Sequence, residues 1–309
     1  MKILITGGAG FIGSHITKLL LDIGHSVTVY DNLSKGYLSL VDQRAEFIEG
    51  NISDTDMLVQ ALNGIDCVIH MAGYIEIPLS VKEPINFAEN NVMGSLHLFE
   101  AMVQAEVKKV IFSSTAAVYG DPANLPLTEQ EPLSATNPYA ASKIAVEAFL
   151  SSYHALYQMD VTILRYFNPY GPNELHKPET HAIPNFIESA LKDKELPLYW
   201  GGEQVRDFIY VEDLASAHTT VLGLPGFNVF NVGSEEGVEV KKVVDTISKL
   251  LGKELKIKDL RERLGDVPAN YASSKLLEKA TGWRAKYSLE AGLEKTIEWF
   301  KKNPSTDTV

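Results

Sequence analysis

The chain has 309 residues, 45% of them apolar and 22% charged, enough to bury one large core or two smaller ones without covalent staples. Its formal net charge of -12 argues against a nucleic-acid surface, and the single cysteine, Cys67, excludes a disulfide framework. No apolar run reaches the roughly 18 residues needed to span a bilayer and no targeting pattern opens the chain, so a cytoplasmic protein that binds neither membrane nor nucleic acid is expected.

Segments 2–6, 26–30, 46–49, 67–70, 110–113 and 161–165 are short β-branched runs that read as strands, separated by longer stretches of helical period. Such alternation predicts an α/β chain on a Rossmann-like, doubly wound parallel sheet with helices on both faces. The first strand runs into Gly7-Gly8-Ala9-Gly10-Phe11-Ile12-Gly13, which fits both Gly-x-Gly-x-x-Gly from Gly8 and Gly-x-x-Gly-x-x-Gly from Gly7. Glycine lets the backbone turn tightly and approach a pyrophosphate at the N-terminus of the following helix. Apolar residues at Phe11, Ile12, Ile16, Leu19, Leu20 and Ile23 carry that helix to a cap at Gly24. Asp31 ends the second strand eighteen residues after Gly13, where a carboxylate takes the adenosine ribose hydroxyls and repels a 2'-phosphate. The cofactor expected is therefore NAD rather than NADP; a plain turn role for Asp31 in Asp31-Asn32-Leu33-Ser34 is the alternative.

Further along, Cys67-Val68-Ile69 is an apolar run that marks Cys67 as a buried structural thiol. Ser113-Ser114-Thr115-Ala116-Ala117-Val118-Tyr119-Gly120 follows a strand, so its hydroxyls fall at the carboxyl end of the sheet, where such sheets bind ligands. Asn137-Pro138 is a helix start, and Tyr139 and Lys143, four apart, share one face of that helix. A phenol beside a cation ionises nearer neutral pH and can take a proton from a carbinol under oxidation. After Asn168 a loop is expected over 169–184, then a second, smaller α/β lobe with helices at 241–251, 273–281 and 288–302 and a polar tail over 303–309. The division expected is 1–167 for the dinucleotide domain, joined again by about 206–233, with 168–205 and 234–309 forming the substrate lobe. His70, His154, His176, His181 and His218 lack metal-ligand spacing, and no metal is expected.

Thr115 with Tyr139-x-x-x-Lys143 twenty-four residues on, His70-Met71-Ala72-Gly73, Asn90-Asn91-Val92-Met93-Gly94, Arg165-Tyr166-Phe167-Asn168-Pro169, Arg206-Asp207-Phe208-Ile209-Tyr210 and Arg263-Leu264-Gly265-Asp266 stand in a shared order. Over nearly its whole length the chain resembles an extended short-chain dehydrogenase/reductase of the NAD-dependent sugar epimerase/dehydratase family. The resemblance implies that Tyr139 is the general base, that Lys143 holds the nicotinamide ribose and lowers the Tyr139 pKa, and that Thr115 binds the reacting sugar oxygen. It implies NAD contacts from Gly7, Gly10, Phe11, Ile12, Gly13, Asp31, Asn32, Asn51, Ile52, Met71, Ala72, Gly73, Asn91, Ser113 and Tyr166. Asn51-Ile52 stands where relatives usually have Asp-Ile, and Tyr74-Ile75 replaces a Leu-Lys pair common in 4-epimerases of the galactose pathway.

Dehydratases of the family carry Thr-Asp-Glu where this chain has Thr115-Ala116-Ala117, so elimination lacks its proton donors while 4-epimerisation needs one base and a reversible hydride acceptor. The implied activity is C4 epimerisation of a UDP-hexose, UDP-glucose and UDP-galactose first, through a 4-keto sugar. Other readings are a different nucleotide-sugar epimerase or decarboxylase, for instance on a UDP-uronic acid, or a non-catalytic NAD-binding regulator. For the UDP-sugar substrate the resemblance implies contacts from Asn168, Arg206 and Arg263 to the diphosphate and from Leu198 and Trp200 to uracil, although Trp200 serves equally well as lobe core. Asn270, or Tyr271 beside it, occupies a position where a tyrosine excludes N-acetylated sugars in some relatives, which implies that UDP-GlcNAc is admitted. Helices near 84–106 and 138–157 resemble those that form a four-helix interface in relatives, so a homodimer is expected.

Overall fold

Lys2–Thr6 (β1) is buried along nearly its whole length because both of its faces are covered. Ile3 and Ile5 point to one side of the sheet and pack with Ile16, Leu20, Leu214 and Val221, whereas Leu4 points to the other and packs with Leu58, Leu98, Phe99 and Leu150. Alternate side chains serving two apolar layers are what turn a continuous aliphatic run into a central parallel strand. The computed structural model describes residues 1–121, 124–175, 181–260 and 267–304.

After β1 come α1 (Phe11–Asp22), β2 (Ser26–Asp31), β3 (Glu46–Glu49), α2 (Thr55–Ala61), β4 (Cys67–His70), α3 (Ile77–Lys82), α4 (Pro84–Phe87), α5 (Gly94–Gln104), β5 (Lys109–Thr115), α6 (Pro138–Tyr157) and β6 (Asp160–Tyr166). The second half holds β7 (Asn168–Tyr170), α7 (Ala182–Leu191), β8 (Leu196–Tyr199), β9 (Val205–Arg206), β10 (Phe208–Tyr210), α8 (Val211–Val221), β11 (Phe227–Val232), β12 (Val238–Glu239), α9 (Val240–Leu251), β13 (Ile257–Leu260), β14 (Ala269–Asn270), α10 (Lys275–Thr281) and α11 (Leu289–Lys302). Seven parallel strands form the main sheet in the order β11-β6-β5-β4-β1-β2-β3. The chain winds outward from β1 through β2 to β3 and then returns to lay β4 against the other side of β1. That reversal opens a crevice at the carboxyl ends of β1 and β4, where doubly wound sheets bind their ligands. A separate apolar core gathers Ile183, Phe186, Leu196, Val243, Ile247, Leu293, Ile297 and Phe300 from α7, α9, α11 and β8.

The doubly wound α/β expectation is met, with two local differences. The single helix expected over 84–106 is three pieces, α4, a π-helical turn at Ala88–Met93, and α5. The wider turn carries Asn91, and its irregular hydrogen bonding leaves no mark in a periodic apolar pattern. The loop expected over 169–184 is shorter, because β7 pairs in parallel with β10 and α7 starts at Ala182. That pairing joins residues about forty apart, so it is invisible to local pattern. Among the described residues no helix is long and apolar enough to cross a membrane.

Candidate active site

The floor of the crevice is the turn from β1 into α1. At Gly7, with φ 72°, an added Cβ would stand 2.7 Å from the Ala72 nitrogen, and at Gly13 it would stand 2.4 Å from the Gly7 carbonyl oxygen. Only glycine lets the turn, the helix and the loop after β4 close this tightly. The N-cap of α1, Gly10, brings no side-chain hydrogen bond, and the first turn holds no acidic residue, so its N–H groups are left for an anion. Gly7, Gly10, Phe11, Ile12, Gly13, Asp31, Asn32, Ile52, Met71, Ala72 and Gly73 line one cleft. Each Asp31 carboxylate oxygen accepts one backbone N–H, from Ala9 at 3.0 Å and from Leu33 at 2.8 Å, and keeps capacity for ribose hydroxyls. Burial raises its pKa. This donor and acceptor set fits a dinucleotide.

Asn51 is not among the cleft-lining residues, although Gly50 and Ile52 on either side of it are, and its Oδ1 is committed to the N–H and hydroxyl of Ser53. Asn91 lies behind the cleft wall, accepting the Tyr74 N–H at 2.7 Å and donating to the Tyr74 carbonyl at 2.9 Å and to Ser142 at 3.1 Å. A relay fixes the same wall from beneath. Ser95 donates to the Asn91 carbonyl and so accepts from His70 Nε2, leaving Nδ1 to accept from Thr6, whose oxygen accepts the Ala72 N–H at 3.3 Å. The ring is neutral, since burial pushes His70 down to about 3. In the sequence His70 stood out only as part of His70-Met71-Ala72-Gly73 and as a histidine without metal-ligand spacing, and this hold on the wall carried no local signal.

Asn137 caps α6 by accepting the Ala140 N–H at 2.9 Å. The helix then presents Tyr139 and Lys143 toward the ends of β4 and β5, both buried. Burial pushes the Tyr139 phenol up to about 12, with Thr115 opposing the shift and the charge of Glu76 adding to it. Lys143 donates to the Ser113 carbonyl at 2.8 Å and stands 4.8 Å over the Phe112 ring; burial lowers it to about 8, opposed by Glu147. Tyr166 approaches the same centre from β6. His218 gives its Nδ1 proton to the Leu214 carbonyl and therefore accepts the Tyr166 hydroxyl at 2.6 Å on Nε2. Beneath Lys143, Glu147 receives Arg165 through Nε at 3.1 Å and Nη2 at 2.6 Å, and also Ser114.

In the second lobe, Asn168 donates its side-chain amide to the Asp207 carbonyl at 3.0 Å. Asp207 is a fully buried hub: its carboxylate takes Ser234 through N and Oγ, Glu235 N–H and Ala272 N–H, tying β10 to the loop after β11 and to the end of β14. Burial pushes it up to about 6 against those donors. Arg206 and Asn270 are opposite each other on β9 and β14, and the Arg206 Nη1 donates to the Val205 carbonyl at 2.8 Å. Leu198 is part of the lobe core. Trp200 Nε1, Gln204 Oε1 and Asn270 Oδ1 are buried without a hydrogen-bond partner, a cost that a polar ligand would relieve. Gln204 carried no sequence signal. Arg263 lies outside the described residues.

Residues 3–233 match the model of the NAD dependent epimerase/dehydratase family. A UDP-glucose 4-epimerase of Halalkalibacterium halodurans is 38% identical over 98% of this chain and 97% of its own. The crystal structure of UDP-glucose 4-epimerase with UDP-glucose from Thermotoga maritima superposes with a TM-score of 0.94 at 35% identity, covering 99% of this chain and 100% of that one. A UDP-N-acetylglucosamine 4-epimerase from Methanobrevibacter ruminantium, in complex with UDP-N-acetylmuramic acid, gives a TM-score of 0.92 at 36% identity over 98% of both chains.

Proposed function

This chain belongs to the NAD-dependent epimerase/dehydratase family, and from that premise we infer that it is an NAD-dependent isomerase inverting C4 of a UDP-hexose, with UDP-glucose and UDP-galactose as its substrates. The observation that carries the reaction is the buried phenol of Tyr139 at the start of α6, with Thr115 ending β5, beside a dinucleotide cleft and with Ala116 and Ala117 where a dehydratase would need carboxylates. Bound NAD supplies a hydride acceptor that later returns the hydride. Thr115 orients the C4 oxygen and Tyr139 takes its proton, leaving a 4-keto sugar; after the sugar turns about its diphosphate, Tyr139 gives the proton back on the other face. Lys143, held by Ser113, binds the nicotinamide ribose and adds a positive field that favours the phenolate. Incubation with UDP-glucose and chromatographic resolution of UDP-galactose tests the reading; no interconversion overturns it.

The substrate lobe, 168–205 with 234–309, is proposed to hold the UDP group, with Asn168 and Arg206 on the diphosphate and Trp200 and Leu198 at the uracil. The buried, unpartnered Asn270 Oδ1 supports a pocket that also admits an N-acetyl group, whose amide N–H it can accept. Asn270→Tyr is expected to lower kcat/KM for UDP-GlcNAc by at least about tenfold, a loss set by steric exclusion and one lost hydrogen bond, while UDP-glucose is still turned over. Equal losses on both sugars would refute that role.

A homodimer through α4–α5 and α6 is supported by apolar side chains left outside: Ile85 is 73% exposed, Leu156 74%, and Phe149, seven residues before Leu156 on the same face, 39%. Light scattering at micromolar concentration is expected to give twice the chain mass for the wild type and the chain mass for Leu156→Asp. A monomeric wild type would remove the assembly. A cytoplasmic location accords with this chemistry, since nucleotide sugars and NAD meet there.

A further inference from the structure

The cleft that takes the dinucleotide has two rims that no role above explains. One is the loop after β2, residues Ser34, Lys35 and Gly36; the other is the loop after β4, Tyr74 and Ile75, and both line the cleft whose floor is Gly7–Gly13. The first rim is clamped at its base. Gly36 lies so close to the glycine turn that an added Cβ would meet Ala9 atoms at 2.9–3.0 Å, and the Tyr37 N–H donates to the Ala9 carbonyl at 2.9 Å. The second rim is held by Asn91 through the Tyr74 backbone and ends on Glu76, whose carboxylate accepts the Ile75 N–H at 3.2 Å. An ion pair joins the two rims: Lys35 Nζ donates to Oε1 of Glu76, the residue after Ile75, at 2.6 Å, the lysine side chain 37% exposed and the glutamate 7%.

We propose that Lys35 and Glu76 form a clasp across the dinucleotide cleft that limits how fast NAD leaves the protein. The inference rests on the cleft being the NAD site and extends it. A purely structural ion pair between two loops has no reason to bridge the mouth of a ligand cleft from rims already fixed at their bases. An epimerase has a specific need for such a device, since reduced cofactor lost in mid-cycle strands the keto sugar and the enzyme together. Glu76 is nearly buried, so the bridged arrangement spares it an unpaired charge, while the 37% exposed lysine leaves the pair open to salt. Opening requires both loop tips to separate, so the pair acts on the rate of release.

The test uses the protein as purified with NAD, displaced by excess unlabelled cofactor while the bound radiolabelled NAD is counted. Lys35→Met and Glu76→Gln are each expected to release NAD about fivefold faster, the worth of one partly buried ion pair. The double variant is expected to release it no faster than either single, because each single change already opens the clasp. For the wild type, release is also expected to quicken between about 0.05 and about 1 M NaCl, a dependence lost in the variants. Single variants that release NAD within about twofold of the wild type, or a double variant near the multiplicative 25-fold, overturn the clasp. If a variant fails to fold, an absence of salt dependence in the wild type overturns it alone. A wild type that binds no NAD at saturating concentration removes the NAD reading instead.

Discussion

Tyr139→Phe is expected to keep its bound NAD and lose about 10²- to 10⁴-fold in turnover, the usual contribution of a positioned general base. The substitution deletes one oxygen from a side chain that is only 8% exposed, so the ring, its packing and the α6 cap at Asn137 remain. Lys143 is anchored independently on the Ser113 carbonyl at 2.8 Å, and Thr115 still accepts the Ala117 N–H, so neither the ribose contact nor the oxygen-binding hydroxyl collapses with the phenol. What disappears is the hydroxyl proposed to take and return the C4 proton. Burial pushes Tyr139 up to about 12, so the phenolate depends on the positive charges that Lys143 and oxidised cofactor bring near it. The same argument fixes the sign of a pH effect: Lys143→Met should move the acid limb of kcat/KM to higher pH. Single-turnover rates with NAD content measured on the same sample decide the matter, and a phenylalanine variant with near-normal turnover would end the base assignment.

What could be seen in the sequence was whatever is encoded locally. Gly7, Gly10, Gly13 and Asp31 are separated by a turn, one helix and one strand, so spacing alone placed them around a single crevice. Asn137-Pro138 fixed the start of α6 to the residue and with it the shared face of Tyr139 and Lys143. The partners that set the chemistry were not legible. Glu76, which raises the Tyr139 pKa, and Lys35, which pairs with it, are forty-one residues apart and became neighbours only because β4 returns beside β1. Asp207 was visible as part of a motif, yet its work is to satisfy four donors from Ser234, Glu235 and Ala272, contacts that long-range folding creates. Lys143 also makes a contact that helical period could not show, donating to the carbonyl of Ser113 in β5 at 2.8 Å, thirty residues away in the chain.

Arg165→Met is expected to destabilise the fold by about 3–5 kcal/mol, because it strands Glu147 as an unpaired buried charge. The two side chains are 6% and 7% exposed and meet through two nitrogens, a bidentate geometry that supplies both attraction and direction. The arginine also donates to the Tyr119 hydroxyl at 3.0 Å, which donates on to Asn231 at 2.6 Å, so one truncation unpairs a chain linking β6, the segment after β5, and β11. Thermal unfolding followed by circular dichroism should show a midpoint lower by on the order of 10 °C. Adding Glu147→Leu to Arg165→Met should restore most of the midpoint, since a well-packed apolar pair replaces a buried ion pair at little cost. It should not restore turnover, because Glu147 opposes the deprotonation of Lys143, whose pKa burial has already lowered to about 8. A single variant that melts within about 2 °C of the wild type, under roughly 1 kcal/mol, would mean that Glu147 finds another donor and that the pair does not hold this side of the site.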